Sequence, residues 1–123
     1  SSVTTGLAVV LVQQQVLTPE AAVYLVVGSN VGTTVTGLIA SLSMGSLARR
    51  TAVINTGFKL AGALMFAPVL ILFAHAVVEH SPTPDMAVAV AHLVFNIATS
   101  ALFLIFLPMY APRLEHWALP ARP

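Results

Sequence analysis

Cysteine is absent from the 123 residues, charged side chains make up 7% of them, and tryptophan occurs once. Without cysteine there is no disulfide, no thiolate metal site and no cysteine nucleophile. Five Lys and Arg against four Asp and Glu leave a net charge of +1, too little to gather a nucleic-acid backbone. No Gly-x-Ser-x-Gly elbow, His-Glu-x-x-His zinc helix or phosphate-cradling Gly-Lys-Ser/Thr loop occurs, so nothing points to an enzyme or to a redox or organic cofactor. His75, Glu79 and His80 do not have metal-ligand spacing.

What fills the chain is apolar: 58% of residues are hydrophobic and the mean hydropathy is +0.93, outside the usual range for soluble domains. Ala21–Ala48, Leu60–Val78 and Met86–Pro112 contain no Lys, Arg, Asp or Glu, and each can supply the roughly 20 residues of a spanning helix. The expectation is an all-α, polytopic integral membrane protein. The chain opens on a hydroxyl-rich segment, without Met and without a signal-peptide pattern, and reads as a piece of something longer.

Thr18-Pro19-Glu20 carries a helix start: a hydroxyl for the cap, a proline where no N–H is needed, and an acid at the positive end of the dipole. From there the helix is expected to run to Val27 and break within Gly28–Thr33, because two glycines permit unwinding and Ser29, Asn30, Thr33 and Thr34 offer oxygens at membrane depth. A second half-helix should follow to about Ser43. After a Gly/Ser turn, residues 48–80 form a helix kinked at Pro68. Ser81-Pro82-Thr83-Pro84 stops it, and a last helix over 85–110 ends or bends at Pro108 and Pro112 before an amphipathic tail over 114–123.

Positive residues favour the cytoplasm. Arg49 and Arg50 therefore put their turn inside together with the C-terminal tail, leaving the Pro-rich turn outside, in a plasma (inner) membrane. Tyr110 and Trp117 suit an aromatic belt at the inner surface. A short echo at a constant offset of 37 relates Ala52, Asn55, Phe58, Lys59, Ala61 and Phe66 to Ala89, His92, Phe95, Asn96, Ala98 and Phe103. Each long helix thus carries a polar i, i+4 pair on one face, Asn55/Lys59 and His92/Asn96. Simpler roles stand beside the functional ones. Gly28-x-x-x-Gly32 can be a helix-packing seam in a non-transporting scaffold. Lys59 can snorkel to the inner interface, His92 and Asn96 can satisfy helix–helix hydrogen bonds, and Arg49 and Arg50 can be topology anchors.

Gly28-Ser29-Asn30-Val31-Gly32-Thr33-Thr34-Val35-Thr36 closely resembles the Gly-Ala-Asn-Ile-Gly-Thr-Thr/Ser-Val-Thr signature of the type II sodium-dependent phosphate cotransporters and their bacterial relatives. Ser1-Ser2-Val3-Thr4-Thr5 looks like the end of that family's Gln-Ser-Ser-Ser-x-Thr-Thr motif, with Val3 where a third Ser often sits. Arg49-Arg50-Thr51-Ala52 and Ala91-His92-Leu93-Val94-Phe95-Asn96 resemble stretches of bacterial members. The likeness covers residues 1–113. It implies one repeat of an inverted-repeat transporter with re-entrant or broken helices, residues 1–43 forming a hairpin end and a broken helix, and a partner repeat in the same chain or a second subunit. It also implies symport of inorganic phosphate with Na+ as coupling ion by alternating access, another oxyanion being the variant of that reading.

Phosphate needs neutral hydrogen-bond donors and helix N-termini. Ser1, Ser2, Thr4 and Thr5, with Thr33 and Thr34, are the candidates. Sodium needs oxygens, for which Gly28, Ser29, Asn30 and Thr34 are the candidates. Asn55, Lys59, His92 and Asn96 form the accompanying polar stripe.

Overall fold

The structure, a computed structural model, describes residues 2–118; Ser1, one of the expected phosphate contacts, and tail residues 119–123 lie outside the described residues. It is all-helical: α1 (Ser2–Gln13), α2 (Pro19–Ser41), α3 (Ser46–Phe66), a 3-10 turn (Ala67–Val69), α4 (Leu70–His80) and α5 (Pro84–Ala118). Three stretches, Pro19–Ser41, Ser46–His80 and Pro84–Trp117, are long and apolar enough to cross a membrane. Large side chains cover their outer faces, with Leu72 and Ile105 both 71% exposed. A surface so apolar is stable against lipid, where water would drive it to aggregate.

The start of α2 follows its local chemistry. Thr18 is the N-cap and accepts the Ala21 N–H at 3.3 Å, Pro19 opens the helix and Glu20 sits in its first turn. α1 ends by a left-handed cap in which Val16 N–H donates to Leu11 O at 2.9 Å and Gln15 N–H to Val12 O at 3.0 Å, with Gln15 at φ 58°. Glycine normally fills this position because a Cβ crowds the following carbonyl there. Gln15→Gly should therefore raise stability by about 1 kcal/mol, read as a higher denaturation midpoint in detergent; an unchanged or lower midpoint would contradict the strain.

Two expected interruptions are not where the sequence suggested. α2 runs unbroken through Gly28–Thr33, so the broken helix of residues 1–43 is one continuous rod here. Glycine costs a helix only about 1 kcal/mol and permits unwinding without requiring it. The Ser29, Thr33 and Thr34 hydroxyls donate to carbonyls one turn back, Val26, Ser29 and Val31, at 2.9, 2.9 and 2.6 Å. These hydroxyls need no loop to satisfy them. The interruption expected at Pro68 does occur, as the 3-10 turn containing it, where the ring removes a donor and clashes with the preceding turn. α5, conversely, continues through Pro108 and Pro112, so residues 114–118 extend this helix rather than begin a separate tail. The carbonyl that Pro108 leaves without its helical N–H is that of Leu104, four residues back, while the Tyr110 hydroxyl donates to Phe103 O.

α2 sits centrally and touches α1, α3, α4 and α5. Its core contacts lie toward its beginning: Ala22 and Val26 pack with Ala8, Val12 and Val88, and Val23 with Ala74 and Ala91. Phe66 joins α3 to this region edge-on, with ring centroids 4.9 Å from Phe73 and 5.1 Å from Phe95. The Gln13 amide donates to the Asp85 carboxylate at 3.0 Å, tying the end of α1 to the start of α5. At the opposite end the Arg50 guanidinium donates to Trp117 O at 2.7 Å and lies 5.8 Å from the centre of its ring. The Arg49–Arg50 turn and the end of α5 thus share one end of the bundle.

Candidate functional site

The buried stripe of α2 reads Ala22, Val23, Val26, Val27, Asn30, Thr34, Ser41, so it turns from aliphatic to polar at a carboxamide. A buried amide without partners costs several kcal/mol. Asn30 is 3% exposed and engaged at both ends of its amide: its Oδ1 accepts the Lys59 ammonium at 2.9 Å and its Nδ2 donates to Asn96 Oδ1 at 3.2 Å. Asn96 in turn donates to His92 O at 2.7 Å. One chain of hydrogen bonds therefore crosses from α3 through α2 to α5.

Lys59 fixes the direction of this chain. An ammonium only donates, so the Asn30 atom facing it must be the carbonyl oxygen, and the Asn30 NH2 is left to seek an acceptor on Asn96. The snorkelling geometry expected for Lys59 is not observed. Its nitrogen turns inward because a buried amide oxygen offers a better partner than the long reach to the interface. Asn30 comes eleven residues after Pro19, Asn96 twelve after Pro84 and Lys59 thirteen after Ser46. At ~1.5 Å per residue each lies roughly 17–20 Å from its helix start, near the middle of a ~30 Å hydrocarbon core.

Beside this chain lies a cleft of about 240 Å³ lined by Asn30, Thr33, Thr34, Gly37, Ala52, Asn55 and Lys59. A second, of about 330 Å³, lies on the other side of Lys59 and Asn55, with Phe58, Thr99, Ser100, Phe103, Leu104 and Tyr110. Five expected residues thus converge on one cleft: Asn30, Thr33, Thr34, Asn55 and Lys59. His92 and Asn96 join through hydrogen bonds rather than as cleft walls. Gly28 and Ser29 lie one turn earlier on α2 and do not line it. Ser2 is exposed, Thr4 half-buried and Thr5 buried on α1, and none of the three lines the cleft. α1 does pack on the first half of α2, with Ala8 and Val12 in one cluster with Ala22 and Val26.

Thr99, buried and donating to Phe95 O at 2.8 Å, extends the His92–Asn96 stripe; its three-residue spacing after Asn96 was a signal available in the sequence. Gly62 was not singled out by any local signal, yet a Cβ there would stand 3.1 Å from Thr99 Cγ2, which marks the close approach of α3 to α5. The packing-seam reading of Gly28-x-x-x-Gly32 finds no support within the chain: among the described residues nothing lies within 4 Å of a Cβ built at either glycine. Nor do the described residues hold a group of three or more His, Asp or Glu able to bind a metal ion.

Three apolar helices of spanning length around a mid-depth polar constellation define a polytopic helical membrane protein. Residues 1–75 match the family model described as Na+/Pi-cotransporter. The chain belongs to this transporter family, which is not a class of enzymes. It is also 32% identical over 122 residues to the uncharacterized protein YqeW of Bacillus subtilis (strain 168), an overlap covering 99% of this chain and 39% of that protein. The chain thus spans about two fifths of the length of that relative. No solved structure matches it.

Proposed function

We propose that this chain forms one half of a sodium-coupled phosphate symporter, and that its substrate binds in the cleft lined by Thr33, Thr34, Asn55 and Lys59. The observation carrying this reading is the position of the Lys59 charge. All four carboxylates stand near helix ends: Glu20 and Asp85 in first turns, Glu79 at the end of α4, and Glu115 in the last turns of α5. Among the described residues this mid-membrane ammonium is held by a neutral amide, which is a standing demand for an anion. Phosphate would meet that charge together with hydroxyl and amide groups. The Ser1, Ser2, Thr4 and Thr5 hydroxyls are assigned to the substrate as well.

Sodium is assigned to oxygens of the Gly28–Thr34 segment. There it would lower the cost of carrying a dianion into the membrane and couple phosphate to the sodium gradient. A polar cleft open at the side of a helix bundle needs a cover in lipid, and the reading assigns that cover to an inverted partner repeat. The positive charge of the Arg49–Arg50 turn assigns that end, with the C-terminal tail, to the cytoplasm.

The intact protein reconstituted in liposomes should take up labelled phosphate when an inward sodium gradient is imposed, and should lose most of that uptake when choline replaces sodium. Uptake indifferent to sodium, or absent with correctly inserted protein, would refute the reading.

A further inference from the structure

A cation stabilised at membrane depth needs oxygen ligands, and Asn30 Oδ1 is a buried side-chain oxygen at this depth. That oxygen is already taken. Lys59 Nζ stands 2.9 Å from it, while the other end of the Asn30 amide is pinned to Asn96 and, through Asn96, to the carbonyl of His92. The amide cannot rotate away without turning its NH2 group toward an ammonium, donor against donor. A single positive charge is therefore built onto the oxygen that the sequence offers to a sodium ion.

The internal echo shows what has been exchanged. Its two copies place Lys59 on α3 where Asn96 stands on α5, and Asn55 where His92 stands. One copy presents a neutral carboxamide to Asn30 and the other an ammonium. Had both copies carried Asn, the cross-helix chain would hold only neutral amides and would lack a unit of charge beside the cleft. With Lys59 the charge is covalently present, half-buried, and shared with the 240 Å³ cleft that Asn55, Thr33 and Thr34 also line.

We propose that the Lys59 ammonium is a tethered replacement for one coupling sodium ion at Asn30, so that this protein works with one sodium fewer than it would with a neutral residue at position 59. The inference rests on the cotransporter reading above and adds to it a definite ion count. Electrostatically the two cations are equivalent for a nearby anion, since each supplies +1 at the same oxygen. Chemically they differ: sodium leaves with the substrate, whereas the ammonium stays on α3.

The test is Lys59→Asn, with Lys59→Gln as a second neutral variant and Lys59→Arg as the variant that keeps the charge. Radiolabelled sodium binding to the intact, purified protein in nanodiscs should rise by one ion per chain in Lys59→Asn or Lys59→Gln, and should not rise in Lys59→Arg. Sodium should also become a thermal stabiliser of the neutral variants, with potassium or choline giving no such shift. A folded neutral variant that binds no more sodium than the wild type overturns the proposal. Because this readout does not involve transport, it separates the two ideas. An added sodium in a protein that moves no phosphate would support the tethered cation and refute phosphate as substrate. Phosphate uptake with an unchanged sodium count would do the opposite.

Discussion

Asn30→Ala should abolish sodium-driven phosphate uptake while leaving a protein that still inserts. Removing the carboxamide deletes the acceptor for Lys59 and the donor to Asn96 in one step. Hydrogen bonds to charged groups contribute about 1.5–3 kcal/mol each, so the ammonium loses its reason to stay at mid-depth. Its flexible stem then lets it withdraw toward the interface, and the cleft loses its charge. A loss of 1–3 kcal/mol in binding corresponds to a roughly 5- to 150-fold weaker affinity. Uptake at saturating phosphate, binding affinity and the folded yield should be measured together. Normal uptake in folded Asn30→Ala would show that the amide only fills space, and a protein that never folds would point to packing as its main role.

Gly62→Leu should be the most destabilising single change in α3. Even a Cβ at this position meets Thr99 Cγ2 at 3.1 Å and the Phe103 ring at 3.6 Å, and Thr99 is buried with its hydroxyl held by Phe95 O. Overpacking of this kind costs about 1–3 kcal/mol. Gly62→Ala should cost clearly less, since alanine restores up to about 1 kcal/mol of helix propensity against a tight contact that a small shift of Thr99 relieves. The leucine should push α3 away from α5, open the 4.8 Å ring contact between Phe58 and Phe103, and shift Lys59, one turn earlier, off Asn30. A thermal denaturation series in detergent reads the first effect. A melting temperature for Gly62→Leu equal to that of Gly62→Ala would rule out the close approach.

Local chemistry was readable wherever a residue has one dominant effect. Proline removes a donor, so Pro68 marked the interruption of the second span. Thr18, Pro19 and Glu20 marked the start of α2. Charge-free stretches marked the three long helices, and the arginines marked the end of the bundle that Trp117 shares. Glycine lacks that force, and Gly28 and Gly32 were compatible with either a break or a helix. Pro108 and Pro112 misled for the opposite reason, because a membrane helix absorbs the loss of a donor through neighbouring helices and local adjustment that no propensity encodes. The polar stripe was visible as an i, i+4 pattern on each helix. Its partners were not, because the meeting of Lys59 with Asn30 depends on the axial register of α3 against α2, which packing sets. Gly62 was silent for the same reason.

The back-bonded hydroxyls of α2 bear on which solutes the cleft can favour. Thr33 and Thr34 already use their single protons on Ser29 O and Val31 O, so as the helix stands each has only lone pairs to offer. A neutral visitor that wants a proton from either one must displace a carbonyl of comparable strength, and the number of bonds is unchanged by the exchange. An anionic oxygen is the stronger acceptor, and only for it does turning the hydroxyl outward gain anything. Discrimination in such a cleft would come from formal charge more than from shape, and a neutral isostere of a bound anion should gain little from these two threonines.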